Sequence, residues 1–496
     1  MNPLKKLAGQ TAVYGLSSIV GRLLNYLLVP IYTYRFATGD YGVVTEMYSY
    51  VAILIVLCTY GMETAYFRFT KSENPEKVYS TALISLLVSS LVFIVFVYCF
   101  SNEIGNLLRG KSSANIPYKT YIVWFAFIIA ADAFTSIPFA YLREKGKAMR
   151  FALLKLVGIG TNIGLNLFFI VWCMDVYKQG ETNIFFAYIN KIYSPEIGIG
   201  YVFIANLVAS LITIILLLPE LFSAHFFFDK KIWKKMILYA LPLLIMGLSG
   251  NINETLDRIL LKYLLPGNIN ENLQQLGIYG ACYKLSILMT IFIQAFRYAA
   301  EPFFFSHHKE KNAPETYARV MLYFIIVCSL IFLGVMLNIS WIQYFLGGAF
   351  REGLHVVPLL LIANLMLGVF FNLSIWYKLT DKTHYGAWLS IIGAVLTIVL
   401  NIWWIPIWGY TGSAWATLIC YSVMCILSYF IGQKYYPIQY PVLKILFYLA
   451  LAVVLYFASS FISIDDNVVS VLINNLLILL YLALIWKIER PKKMVI

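Results

Sequence analysis

The chain has 496 residues, of which 61% are hydrophobic and only 12% are charged. Soluble globular proteins average about 45–50% apolar and about 25% charged residues, so a soluble enzyme or binding domain is excluded and an integral membrane protein is expected. The net charge of +13 is spread over many short segments without a dense basic run, which points to basic cytoplasmic loops and away from nucleic acid.

The first apolar run, residues 10–33, follows Lys5 and Lys6 as the core of a signal peptide would. It continues past Arg22 to Pro30 without a small-residue cleavage site, so it reads as a first membrane helix. About 20 apolar residues suffice to cross a bilayer. On that measure further spans are expected at 41–67, 79–101, 118–142, 151–174, 197–219, 235–261, 277–300, 316–337, 354–378, 384–406, 411–433, 442–461 and 467–486, fourteen in all. The stretch 338–353 is too short and interrupted to cross and is expected to be an outer loop or interfacial helix. Pro30, Pro138, Pro242 and Pro358 are candidate kinks. The seven cysteines all fall in apolar segments and form no CxxC, so they read as packing residues, with neither disulfide nor metal site expected. His307-His308 has no metal-ligand spacing and reads as part of a solvated loop.

Loop charge fixes an orientation. With the N-terminus in the cytoplasm, 26 of the 37 Lys and Arg fall on the cytoplasmic side and 8, Lys262 among them, in outer loops. Arg22, Arg258 and Lys284 remain inside spans. This bias predicts an even number of spans with both termini cytoplasmic.

A shift of 235 residues lays 147–166 on 382–401 with seven of twenty positions identical, including Gly158/Gly393 and Asn166/Asn401. The same shift matches Gly42 to Gly277 and Tyr48 to Tyr283. A repeat of six spans enters the membrane in one direction both times, so the copies are parallel repeats about an axis along the membrane normal. The expected fold is therefore all-α and polytopic. Residues 1–222 form an N-lobe of six spans and 223–435 a C-lobe of six. Residues 436–496 add two helices and a cytoplasmic tail.

Residues 14–50 carry Gly15, Gly21 and Arg22 in span one, Pro30 near its outer end, and Asp40-Tyr41-Gly42 opening span two. Together with "LDRILLKYLL" at 256–265 and "EPFF" at 301–304, this order resembles the polysaccharide flippases of the multidrug, oligosaccharidyl-lipid and polysaccharide exporter superfamily. The resemblance implies a bacterial inner-membrane protein that moves a polyprenyl-diphosphate-linked oligosaccharide to the outer leaflet by alternating access. It would serve O-antigen or capsule assembly beside a polysaccharide polymerase and other assembly proteins. Fourteen spans suit this branch and the lipid-linked peptidoglycan-precursor branch, whereas the multidrug branch usually has twelve.

Charges inside spans are costly and mark function by default. Counting 1.5 Å per residue, Arg22 and Asp132 lie near mid-membrane. A guanidinium offers a planar fork for a diphosphate, so Arg22 is the first candidate for substrate binding; the alternative is a helix-fastening pair with Asp132. Lys284 is a second anion contact or a snorkelling lysine. In 251–263, Glu254 and Arg258 are four apart and share a face with Asp257. They form an intrahelical pair, or they line the outward mouth of the second lobe with Arg258 as a substrate contact. Asp132, Glu46, Glu254 and Asp257 are candidates for coupling to Na⁺ or H⁺; no other cofactor is expected. Two rival functions stay open: a multidrug or cation antiporter, and a membrane polysaccharide polymerase. The longest outer loop, about 175–196, carries Asp175, Glu181 and Glu196 without a clustered acid/base motif, which speaks against an enzyme.

Overall fold

A computed structural model describes residues 15, 19–110, 116–223, 227–308, 310–461 and 467–490. Tyr14, the start of the first span, Lys111, Lys309 and the tail from 491 lie outside the described residues. The described chain is helical, with no strand. Ten helices are long and apolar enough to cross a membrane, or eleven if Ile269–Leu285 and Ile287–His307 count as one bent span. One of the ten, His384–Tyr435, carries two of the expected spans and breaks at Gly409 (φ 59°, ψ −146°). Residues Gly200–Leu216 form a shorter apolar helix, and residues 19–26 and Leu28–Arg35 carry the described part of the first span. Between 339 and 356 the backbone forms only short turns of helix.

Local chemistry sets where these helices start and break. Asn74 accepts hydrogen bonds from the Glu76 and Lys77 amides at 3.0 and 3.2 Å, with Pro75 in the first turn of Pro75–Cys99. This combination satisfies amides that a helix start otherwise leaves open. Asp229 does the same for Lys230–Leu264 through the amides of Lys231 and Ile232. Pro138 and Pro242 lie inside helices that run on past them, and Pro358 sits in a first turn where its missing N–H costs nothing. The span Thr38–Phe69 breaks instead at Tyr60 and Gly61, both left-handed. A Cβ at Gly61 would come within 3.0 Å of the Ala240 carbonyl, so this break is also a close helix approach.

The chain divides into two compact units. The first comprises 1–281 and 390–416. In it, Pro75–Cys99 packs on Tyr118–Glu144, Ala148–Asn166 on Gly200–Leu216, and Thr38–Thr59 on Lys230–Leu264. Met62, Tyr66, Tyr79, Leu83, Ile137 and Met236 form a core at one end of this unit. The second comprises 282–389 and 417–496. There Ala313–Met336 packs on Val442–Ser460, and Val357–Leu373 on Ile287–His307. Polar side chains tie this unit internally: Asn364 donates to Ser286 at 2.9 Å, and Trp376 to Ser428 at 3.1 Å.

The duplication leaves a direct trace in the first unit. A Cβ on Gly42 would strike the carbonyl of Leu273, and a Cβ on Gly277 would strike that of Thr38. Under the 235-residue shift Thr38 corresponds to Leu273 and Gly42 to Gly277, so the two collisions are images of each other. The starts of Thr38–Thr59 and Ile269–Leu285 thus cross backbone to backbone at repeat-equivalent glycines. Small residues permit such approaches between membrane helices.

Candidate functional site

Three helices of the first unit each turn a polar stripe inward. Tyr118–Glu144 presents Asp132, Ser136 and Arg143; Ala148–Asn166 presents Lys155, Gly158 and Asn162; Gly200–Leu216 presents Asn206, Ser210 and Thr213. Spacings of three, four and seven keep each set on one helical face. Together with Asn25 and Glu63 the stripes line a cavity of about 390 Å³. A group left polar between hydrophobic helices either bonds a neighbour or faces water, and both occur here. Ser210 donates to Asp132 Oδ1 at 2.9 Å, Asn206 to the Tyr48 hydroxyl at 3.0 Å, and Asn162 to Asn25 Oδ1 at 3.3 Å. Tyr32 and Asn166 extend this network through a 2.8 Å hydrogen bond. Arg143 is held by Glu63 at 2.5 Å.

Lys155 is different. Its ammonium stands 4.0 Å from the centroid of the Phe139 ring, and among the described residues it has no ion pair. It and Asp132 are both exposed to the cavity and do not pair with each other. The cavity therefore offers an ammonium, a carboxylate and several amides and hydroxyls within one space. An ammonium suits phosphate, and hydroxyls and amides suit sugar hydroxyls. A carboxylate supplies a place for a proton or Na⁺. Lys155 counts among the cytoplasmic loop charges of the expected topology, but it stands two turns inside its helix and faces the cavity. Its signal was the period it shares with Gly158 and Asn162.

The residues singled out from the sequence separate. Asp132 lines the cavity. Arg22 is exposed on the first helix, one turn before Asn25 and so on its face, while the neighbouring Gly21 packs on Ile159. Arg22 is outside the cavity lining, and among the described residues it forms no ion pair with Asp132. Lys284 is exposed in the second unit. Asp257 is buried, accepting the Tyr279 hydroxyl at 2.7 Å and the Arg258 amide at 2.8 Å. Glu254 is exposed and Arg258 half-buried. Asp175 of the long outer loop is gripped by both terminal nitrogens of Arg35.

Lys262 requires correction. Counted from sequence as an outer-loop charge, it lies in the helix Lys230–Leu264 and is 0% exposed, as is Glu46. Its ammonium meets Glu46 Oε1 at 2.6 Å and also reaches the Leu108 carbonyl and the Tyr118 hydroxyl, while Tyr118 donates to Glu46 Oε2 at 2.8 Å. Glu46 is thus the acid of a closed buried network, the arrangement that makes burying two charges tolerable. The partners are 216 residues apart in sequence, so no local pattern announces them.

A family model described as "Polysaccharide biosynthesis protein" matches residues 7–308. Among curated proteins, none matches by sequence. Among solved structures, a "Lipid II flippase MurJ, inward closed conformation" superposes with a TM-score of 0.71 at 14% identity, covering 95% of this chain and 98% of that one. An inward-facing multidrug resistance MATE family transporter of the MOP superfamily gives 0.63 at 17% identity, over 84% and 94%. The outward-facing form of a MATE family transporter gives 0.56 at 16%, over 88% and 98%. At these identities the likeness is one of fold.

Proposed function

The chain belongs to the polysaccharide biosynthesis protein family, and we propose that it is a flippase for polyprenyl-diphosphate-linked oligosaccharides. It works in the bacterial inner membrane, with both termini cytoplasmic, for O-antigen or capsule assembly. Its membrane-spanning transporter fold supports transport, and the observation that carries the reading is the polar cavity with Lys155, which has no ion pair among the described residues, beside Asp132. In this reading the ammonium holds the diphosphate while amides and hydroxyls meet the first sugars, and the polyprenyl tail stays in lipid. Arg22, one turn below Asn25, hands the anion into the cavity; Arg258 and Lys284 receive it as the lobes 1–222 and 223–435 rock. Asp132 takes the coupling proton or Na⁺, with Glu254 and Asp257 as further acids on the path. The delivered unit passes to a polymerase and its assembly partners.

Flipping of a fluorescent or radiolabelled lipid-linked oligosaccharide in proteoliposomes tests this. A hydrogen bond to a charged group is worth about 1.5–3 kcal/mol, so Lys155→Ala and Arg22→Ala each lose tenfold or more of the rate at unchanged protein level. Wild-type rates in both variants remove these cations from the mechanism. A lipid-linked peptidoglycan precursor carries the same diphosphate, and competition between the two substrates decides which one the protein serves. A second reading, drug or cation antiport, is favoured by the Asp132 carboxylate exposed in the same cavity. It predicts that Asp132→Asn abolishes efflux of a quaternary ammonium dye while Lys155→Ala leaves it intact.

A further inference from the structure

The first unit holds a second cavity of opposite character, about 490 Å³ and walled almost wholly by hydrocarbon. Its floor comes from Met47, Val51 and Leu54, and its sides from Ile122, Ala126 and Ile129. Phe96 and Leu107 at its edge are 55% and 73% exposed, so it opens sideways from the helix bundle. The polar atoms in its wall, the hydroxyls of Tyr50 and Tyr263, face each other at 3.1 Å. It shares no lining residue with the polar cavity: the two use opposite ends of Tyr118–Glu144, residues 122–129 and 132–143.

Two cations stand at one end of this groove. Arg109 directly follows the lining residue Leu108 and closes the short helix Ser101–Arg109. One of its terminal nitrogens donates to the Ile116 carbonyl at 3.2 Å, while its Nε is buried without a hydrogen-bond partner among the described residues. Lys119 is exposed and sits three residues, about 4.5 Å, before Ile122 on the face that continues to Ala126 and Ile129. The two segments are in contact, since a Cβ at Gly105 would lie 3.3 Å from the Lys119 amide. Glu103 is the one acid on the short helix. An apolar slot between spanning helices with a pair of cations at its mouth matches one ligand chemistry: a hydrocarbon chain ending in a phosphate. Basic pockets between membrane helices on the cytoplasmic side take anionic headgroups in this way, and the same charge pairing acts on a phosphate in the outer leaflet.

We propose that this groove is a binding site for an anionic phospholipid, its acyl chain along Met47–Leu54 and Ile122–Ile129 and its phosphate on Arg109 and Lys119. The occupant is a resident lipid and not the transported one, because the groove shares no lining residue with the polar cavity and has no polar face for sugars. The site stands independently of the substrate assigned above.

The test reconstitutes the full chain in nanodiscs of equal phosphatidylglycerol and phosphatidylethanolamine, each in turn carrying a diazirine acyl chain, and maps the photo-adducts by peptide mass spectrometry. Adducts from phosphatidylglycerol concentrate in 93–108 and 122–129, several-fold above those from phosphatidylethanolamine. A basic residue near the surface is worth about 1 kcal/mol toward anionic lipid, so Arg109→Gln lowers that preference about fivefold. Ala126→Phe fills the slot and removes the adducts while flipping continues. Adducts spread evenly over the apolar exterior, or equal labelling by the two lipids, overturn the proposal. So does preferential labelling by a polyprenyl diphosphate probe. The wild-type map decides the matter even where a variant fails to fold.

Discussion

Two lysines show how much a single residue's meaning depends on its partner. Lys155 and Lys262 both stand close to helix ends, where a hydropathy reading assigns charges to loops. Lys155 faces a cavity; Lys262 lies in a sealed network with Glu46 and Tyr118. Removing one member of a buried ion pair strands the other at about 3–5 kcal/mol, whereas replacing both with apolar residues of similar volume is often neutral. Lys262→Met and Glu46→Leu are therefore each expected to lower the apparent melting temperature in detergent markedly, and the double variant to recover most of the loss. Equal losses in single and double variants would mean that the pair is not coupled. Arg22 and Asp132 stand out in the sequence because they interrupt long apolar runs, and of the two only Asp132 lines the cavity. The Glu46–Lys262 pair does not stand out, since its cause is a tertiary contact between spans two and seven.

At the scale of elements, the helices were legible because long apolar runs report spans directly. Break points were less so. Pro138 and Pro242 lie inside helices that continue past them, and the breaks fall at Tyr60-Gly61, Ser286 and Gly409. Positive-φ backbone marks two of these breaks, Tyr60-Gly61 and Gly409, whereas Ser286 is right-handed (φ −82°, ψ −2°); at Gly61 the neighbouring Ala240 backbone leaves little room for a side chain. The Gly42–Gly277 crossing gives this a test. Overpacking a tight contact costs about 1–3 kcal/mol, and a side chain at either glycine meets backbone that has no rotamer to yield. Gly277→Val and Gly42→Val are expected to destabilise by similar amounts, as images of one another. Disulfide trapping between cysteines placed at Thr38 and Leu273 is expected in the parent and absent from both. Trapping that survives in either variant would show that the helices part without cost. The cap at Asp229 carries a milder signature. The amides of Ile232 and Lys231 hold its carboxyl below the usual carboxylate range. A folded-state pKa lowered in this way contributes stability above the unfolded value of about 3.9 and loses it as pH falls through the folded one. Asp229→Asn, which caps without titrating, is expected to flatten the acid limb of a melting-temperature profile.

For the whole molecule the decisive quantity is the asymmetry of charge. Moving Lys155 and Lys262 from the loops to the interior takes one cation from each side of the count, so the bias toward the cytoplasm survives the correction. Every functional assignment leans on this orientation: the polar cavity must face the supply of substrate, and the apolar groove lies at the depth of the far leaflet only if residues 101–118 are outside. Cysteine accessibility in intact cells examines it directly. Native Cys99 is exposed, so the background is Cys99→Ser. A cysteine at Thr182, in the long loop after the fifth span, is expected to react with a membrane-impermeant maleimide in intact cells. One at Ser306, at the end of Ile287–His307, is expected to react only after permeabilisation. The reverse pattern would invert the molecule, placing the cavity's cations on the wrong side for a cytoplasmic diphosphate and ending the flippase reading while leaving the fold untouched. Labelling of both sites in intact cells would instead mean an even number of spans between them, where the three expected spans put them on opposite sides, and with it a repeat that is not parallel.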